Sequence, residues 1–158
     1  MWTDVVDLRD FYRSSLGQMT RRIIRRQIRD MWDNTSGMTV MGLGYATPYL
    51  LPFRDEAERV FAVMPAAQGV LRWPPDGKRL VTLSDETELP LPDVSVDRVL
   101  LVHGLEYSEQ LRPMLREIWR VLADGGEAPG IISAEIDLGQ VTEARAKIPS
   151  LGHDRDIA

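Results

Sequence analysis

Val40-Met41-Gly42-Leu43-Gly44-Tyr45-Ala46-Thr47-Pro48 is the stretch on which the fold turns. The apolar run from Met38 to Leu43 has β character, and Gly44 closes it. A helix is expected from Thr47-Pro48, since proline is tolerated in a first helical turn and Thr47 can cap it. Two glycines between strand and helix let the backbone turn sharply and come close to a ligand. A tight strand-to-helix connection that holds no ligand is the plain alternative.

Downstream, the pattern repeats. Val60 to Met64 reads as a second strand closed by Pro65, with a short helix expected over Ala66 to Leu71. Pro74-Pro75-Asp76-Gly77 is a strong turn signal. Arg79 to Leu83 is a third strand, followed by an acid- and proline-rich loop from Ser84 to Asp93. Arg98 to His103 is a fourth, apolar on both faces as a central parallel strand should be. From Glu109 to Leu122 an amphipathic helix places Leu111, Leu115, Ile118, Val121 and Leu122 on one face, and Gly125-Gly126 stops it. Ile131 to Leu138 is a fifth strand, Gln140 to Ile148 a last helix, and Pro149 to Ala158 an extended tail.

Upstream, residues 4 to 32 carry apolar side chains at helical spacing: Val5, Leu8, Phe11 and Tyr12, then Met19, Ile23, Ile24, Ile28 and Met31. Gly17 is the expected break between two helices. Alternating strands and helices imply βαβ units around a parallel sheet.

Composition narrows the function classes. The 158 residues suffice for one domain with a core. Net charge is −5, so the chain has no general attraction for nucleic acid or an anionic membrane. There is no cysteine, which excludes disulfides, thiolate metal sites and cysteine nucleophiles, and no metal site is read from the sequence. No apolar run approaches the roughly 20 residues that span a bilayer, and the N-terminus lacks a secretory pattern, so the cytoplasm is the expected location.

In parallel α/β sheets, ligands bind beyond the carboxyl ends of the strands. The residues there are Gly42, Gly44 and Tyr45 after the first strand, Met64 ending the second, Asp85 and Glu86 after the third, and His103 after the fourth. Asp85 also reads as a solvated loop acid. His103 is a candidate general base; lining the strand end is the commoner fate of such a residue. Arg21, Arg22, Arg25, Arg26 and Arg29 form an anion-binding face or, more commonly, a solvated helix face. Trp73 and Trp119 read as core or interface residues.

Taken in order, these segments resemble the class I S-adenosylmethionine-dependent methyltransferases, particularly the small-molecule kind called type 11. Val40 to Ala46 is similar to their glycine motif, Ser84 to Asp93 to their acid-then-LPxPD stretch, Asp97 to His103 to their fourth strand, and Leu115 to Leu122 with Gly125-Gly126 to the helix before their fifth. The resemblance covers about residues 38 to 126. It implies a partial Rossmann-like parallel sheet of order 3-2-1-4-5, preceded by N-terminal helices over 1–37 and lacking closing strands six and seven. It implies S-adenosylmethionine as cofactor and methyl transfer to an unknown small-molecule acceptor. Gly42 and Gly44 would pack against the cofactor's methionine and ribose, and Asp85 would accept from the adenine amino group with Glu86 beside it. Val40 and Met64 depart from the family, which carries acids at both positions, and Ala46 replaces a frequent third glycine. Loss of a bidentate charged hydrogen bond costs about 1.5–3 kcal/mol, or roughly tenfold to a hundredfold in affinity. A non-catalytic binding module with a degenerate cofactor fold is the alternative.

Residues 129 to 157, by contrast, resemble the C-terminal end of carbon–nitrogen hydrolases of the nitrilase superfamily, through Gly130 to Leu138, Val141 to Arg145, Ile148 to Leu151 and His153-Asp154-Arg155. Without cysteine, nitrilase chemistry is excluded. The expected organisation is a chimera, with a methyltransferase-like front to Gly126 and a foreign tail over 127–158 that supplies the fifth strand. The open sheet edge, or the tail, offers a route to a homodimer.

Overall fold

The computed structural model describes residues 4–105, 108–123 and 130–134. Five parallel strands form one sheet in the order β3-β2-β1-β4-β5, as the strand–helix alternation and the resemblance imply. They are β1 Thr39–Gly44, β2 Arg59–Pro65, β3 Val81–Ser84, β4 Arg98–Val102 and β5 Ile131–Ala134. The helices are α1 Val5–Arg13, α2 Ser15–Met31, α3 Thr47–Leu50 (continued by a 3-10 turn, Leu51–Phe53) and α4 Leu111–Val121. No helix among the described residues is long and apolar enough to cross a membrane. The remainder of the fifth strand to Leu138, the last helix, the tail and Gly125-Gly126 lie outside the described residues.

Two-residue periodicity divides the core into two layers. Val40, Val60, Ala62, Met64, Leu100 and Val102 face α1, α2 and α3, where they meet Leu8, Tyr12, Ile28, Trp32, Tyr49, Leu50 and Phe53. Met41, Leu43, Val63, Val99 and Leu101 face α4 and meet Met114, Ile118 and Val121. Each fully buried large apolar side chain stabilises by about 1.5–3 kcal/mol relative to exposure. The N-terminal helices thus share a core with the sheet.

Several local expectations change. The break between α1 and α2 falls at Ser14, whose extended backbone ends α1 and whose hydroxyl accepts from Gly17 N–H to cap α2. Gly17 sits inside α2, because a Cβ there would meet the Phe11 carbonyl oxygen at 2.0 Å. Residues 66–68 form a turn, closed by Gln68 N–H and Gly69 N–H donating to the Pro65 carbonyl, where a helix was expected. Thr47 is the first residue of α3, and no side chain caps that helix. On α4 the buried residue nearest the N-terminus is Met114, while Leu111 is exposed. Only Ile28 of the α2 stripe is fully buried; Met19, Ile23 and Met31 are exposed.

The arginine run divides along helical spacing. Arg22 and Arg26 are exposed, whereas Arg25 Nε donates to the Pro48 carbonyl at 2.8 Å and Arg29 grips both carboxylate oxygens of Glu56. The Arg29 guanidinium also lies 5.2 Å from the Phe53 ring centroid. Glu56 further accepts from the backbone and hydroxyl of Thr35. These bonds, led by Arg29, hold its carboxyl at about 2. Arg25 and Arg29, four residues apart, thereby tie α2 to the α3 unit, while Arg21 bonds back to Gln18 of its own helix.

Candidate functional site

The glycine turn at the end of β1 lies between β2 and β4, where the strand order reverses. That is the position at which parallel sheets open a ligand crevice. Its two glycines serve different purposes. A Cβ on Gly42 would meet Ala46 Cβ at 2.6 Å and Leu50 Cδ1 at 2.8 Å, so Gly42 lets α3 pack directly on β1. Gly44 has φ +86°, and a Cβ there would stand 2.2 Å from the Val102 carbonyl oxygen. Its conformation carries the chain across the end of β4, where Tyr45 N–H donates to the same oxygen at 2.9 Å.

Helix α1 lies across these strand ends. At its start, Val5 N–H donates at 3.0 Å to the Gln68 carbonyl in the turn after β2. At its far end, Tyr12 stacks on Tyr45 (ring centroids 5.7 Å apart, planes 20° apart) and meets His103 edge-on at 5.7 Å. The Tyr12 hydroxyl joins two further groups, Tyr49 Oη at 2.7 Å and His103 Nε2 at 2.8 Å. Burial pushes the Tyr49 hydroxyl up to about 12 and raises Tyr45 as well.

His103 follows β4 with φ +54°, a conformation rare for a residue with a side chain. Its backbone N–H donates to the Ala134 carbonyl at the end of β5. The ring is fully buried, and burial alone lowers it to about 4, so the imidazole is neutral at neutral pH. Nδ1 has no hydrogen-bond partner among the described residues. The same holds for Gln68 on the other side of β1: its side chain is 1% exposed and neither Nε2 nor Oε1 has a partner. Buried polar atoms are nearly always bonded, and Gln68 and His103 Nδ1, one on each side of β1, are exceptions among the described residues, as is Arg21 Nε.

The third strand end adjoins the second. Pro65 pairs with Ser84, and Ala66 N–H donates to the Ser84 carbonyl. Asp85 is exposed and uses Oδ1 to accept from Thr87 N–H (2.8 Å) and Thr87 Oγ1 (2.6 Å), which lowers its pKa. Oδ2 has no partner among the described residues. Glu86 is buried. Met64 is wholly buried within the sheet.

The loop that carries Asp85 is fastened from α4. Glu117 Oε2 accepts from Leu89 N–H at 2.8 Å. Arg120 donates to the carbonyls of Leu89 and Leu91, to Asp93 and to Glu117. These contacts raise the Arg120 guanidinium above its ordinary value, chiefly through Glu117 and then Asp93. They explain why a proline-containing loop and a distant helical Glu-Ile-Trp-Arg segment occur together. At the opposite edge, Asp97 Oδ2 accepts from Thr39 N–H at 2.8 Å and pins the start of β1 to β4.

Gly44, Tyr45 and His103 therefore converge around Tyr12, while Asp85 and Glu86 stand at the far side of β2. Sequence reading missed Tyr12, Tyr49 and Gln68. The first two are indistinguishable from apolar helix-face residues by periodicity. Gln68 carried a signal, as a polar residue placed just after a strand end.

A family model described as a methyltransferase domain matches residues 40–128. No curated protein matches the sequence. Among solved structures, the chain is similar to a chain in the complex of the Trm112 methyltransferase activator with a methyltransferase from Haloferax volcanii. The identity is 28% and the TM-score 0.55, covering 70% of this chain and 52% of that one. It is also similar in fold to a protein described as a methyltransferase of an antibiotic biosynthesis pathway in Anabaena variabilis, at 23% identity and TM-score 0.53, covering 73% and 46%. A third is described as an S-adenosylmethionine-dependent methyltransferase from Thermotoga maritima, at 19% identity and TM-score 0.54, covering 89% and 64%. The chain spans about half the length of the first two.

Proposed function

The chain belongs to the methyltransferase domain family matched over residues 40–128, and from that we propose that it moves a methyl group from S-adenosylmethionine to a small-molecule acceptor at the carboxyl end of its sheet. S-adenosylmethionine is the cofactor that this family implies. The observation that carries the reading is the pair of buried, unpartnered polar groups, Gln68 and His103 Nδ1, on either side of the Gly42–Gly44 turn.

The residues present fit a nucleoside cofactor. Gly44 keeps the crevice floor free of side-chain atoms, and Asp85 Oδ2 is available to accept from an adenine amino group. Glu86 stands beside Asp85, and Tyr45 lies at the strand end against Tyr12, while Met64 is enclosed in the core. When bound, the cofactor would supply an electrophilic sulfonium methyl, whose carbon–sulfur bond would break as an acceptor lone pair bonds to the methyl carbon, with S-adenosylhomocysteine as the leaving group. For such a transfer, holding the two reactants in line accounts for most of the catalysis, so few side chains need to react. His103 stays neutral and fully buried, so its part in the reaction would be to position the end of β4 and not to take the acceptor proton. Tyr12 fixes the ring through Nε2.

A non-catalytic binding module is the second reading, favoured by the wholly buried apolar Val40 and Met64 where the family carries acids. Titration calorimetry with S-adenosylmethionine and S-adenosylhomocysteine tests the first reading. One-to-one binding supports it, and an absence of heat at millimolar ligand overturns it. Binding without methyl transfer to a panel of small amines, hydroxyls and carboxylates would favour the module.

The nitrilase-like tail belongs to the same proposal and rests on the resemblance of residues 129–157 alone, the methyltransferase match reaching residue 128. Chromosomal sequence across the codons for Gly126 and Glu127 tests the chimera, and an uninterrupted methyltransferase frame there rejects it. Homodimerisation through the β5 edge or the tail is tested by light scattering before and after removal of residues 127–158; an unchanged mass rules it out.

A further inference from the structure

Gln68 occupies an unusual position for an amide. Its backbone is held on both sides: Gln68 N–H donates to the Pro65 carbonyl at 3.0 Å, and the Gln68 carbonyl accepts from Val5 N–H at 3.0 Å. Gly69 follows with φ +99°, and a Cβ there would lie 3.1 Å from Val5 Cγ1, so the turn packs closely under the first turn of α1. The side chain, 1% exposed, nevertheless bonds to nothing among the described residues, at either Nε2 or Oε1. A purely structural role in that place would be filled better by an apolar side chain, since an unbonded buried amide loses its water without return.

The chemistry around it narrows the ligand. In nucleoside-binding parallel sheets, an acid at the end of the second strand, about 20 residues beyond the glycine turn, bonds the ribose hydroxyls. Met64 stands at that strand end here and offers no polar atom. Gln68 is one turn further along the same connection. A primary amide presents donors and an acceptor, and a ribose diol presents two groups that each donate and accept. The two match without any charge.

We propose that Gln68 is the ribose-recognising residue of this chain, making through its amide the contacts that an acid at the end of β2 would otherwise make. The inference rests on the cofactor reading above. It is tested by calorimetry on the full chain with S-adenosylhomocysteine and its 2′-deoxy analogue, using wild type, Gln68→Met and Gln68→Glu, with thermal unfolding of each protein without ligand. Wild type is expected to prefer the intact diol at least tenfold. Gln68→Met is expected to unfold at the same or a higher temperature, to bind S-adenosylhomocysteine at least tenfold more weakly and to lose the preference. Gln68→Glu, an acceptor for both hydroxyls, keeps it. Binding by Gln68→Met within twofold of wild type, with discrimination intact, overturns the inference and leaves the cofactor reading standing. If Gln68→Met does not fold, Gln68→Ala takes its place, and binding within twofold of wild type with discrimination intact overturns the inference equally. No binding by wild type removes both.

Discussion

The carboxyl ends of β2 and β4 flank the same glycine turn, and both lie under α1, yet they are finished differently. At β4, His103 is tied through Nε2 to Tyr12 and onward to Tyr49, with its backbone bonded to the end of β5. At β2, the Gln68 backbone is clamped while its side chain has no partner among the described residues. A polar group with partners accounts for itself structurally. One buried without any is the ground of the proposal above, and the two strand ends separate those cases on either side of one turn. The β4 end is a latch with one spare nitrogen, and the β2 end is, under the proposal above, a socket.

The largest expected effect is at the turn between them. Gly44→Ala drives a methyl into the Val102 carbonyl oxygen at a φ that disfavours side chains, and should cost more than about 3 kcal/mol in denaturant unfolding. A loss below about 1 kcal/mol would mean that the β1–β4 approach is loose and the latch is not rigid.

Acid should weaken the β4 end selectively. Burial depresses His103 to about 4 in the folded chain, so between its ordinary value of about 6.5 and that point the unfolded state binds a proton that the folded state refuses. Stability is therefore full above about pH 6.5 and falls as pH drops toward 4, by about 2–3 kcal/mol by pH 4.5. The lowered acids Glu56, Asp85 and Glu117 contribute their own losses only below about pH 4.5. Urea midpoints recorded across pH 4.5–7 check this; a flat profile, or one unchanged in His103→Phe, would show that the histidine is not sealed.

Tyr12→Phe keeps the ring stacking but strands His103 Nε2 and the Tyr49 hydroxyl, for a loss of about 1–3 kcal/mol. A neutral result would reduce the latch to simple packing. Smallest is Gly69→Ala at the β2 end, where only the tip of Val5 must yield and the strain of φ +99° is about 1–2 kcal/mol. If it proves as damaging as Gly44→Ala, the two ends are built alike after all.

Much of this frame was legible in advance. The run Met38–Gly44, the apolar Val99–Val102 and the intervening turns specify a parallel sheet, because apolar side chains on both faces leave few other arrangements. The family motifs were legible as a pattern, but their purpose was not. Arg120 and Glu117 read as helix-surface charges until the fold sets them against Leu89 and Leu91. Likewise Thr47 reads as a cap from its residue type, yet α3 begins with it. The helix expected over residues 66–71 fails because the Pro65 carbonyl collects two N–H groups in a turn.

The sequence by itself determined the parallel sheet, the glycine turn and the exclusion of thiol chemistry, which follow from local pattern or from composition, and its resemblance to a family implied the strand order. Only the tertiary structure decided that α1 closes over the strand ends, and so which polar groups are satisfied. Tyr12 and His103, or Val5 and Gln68, are far apart along the chain. Whether a buried atom finds a partner depends on what folding brings within about 3 Å of it, and no local pattern records that distance.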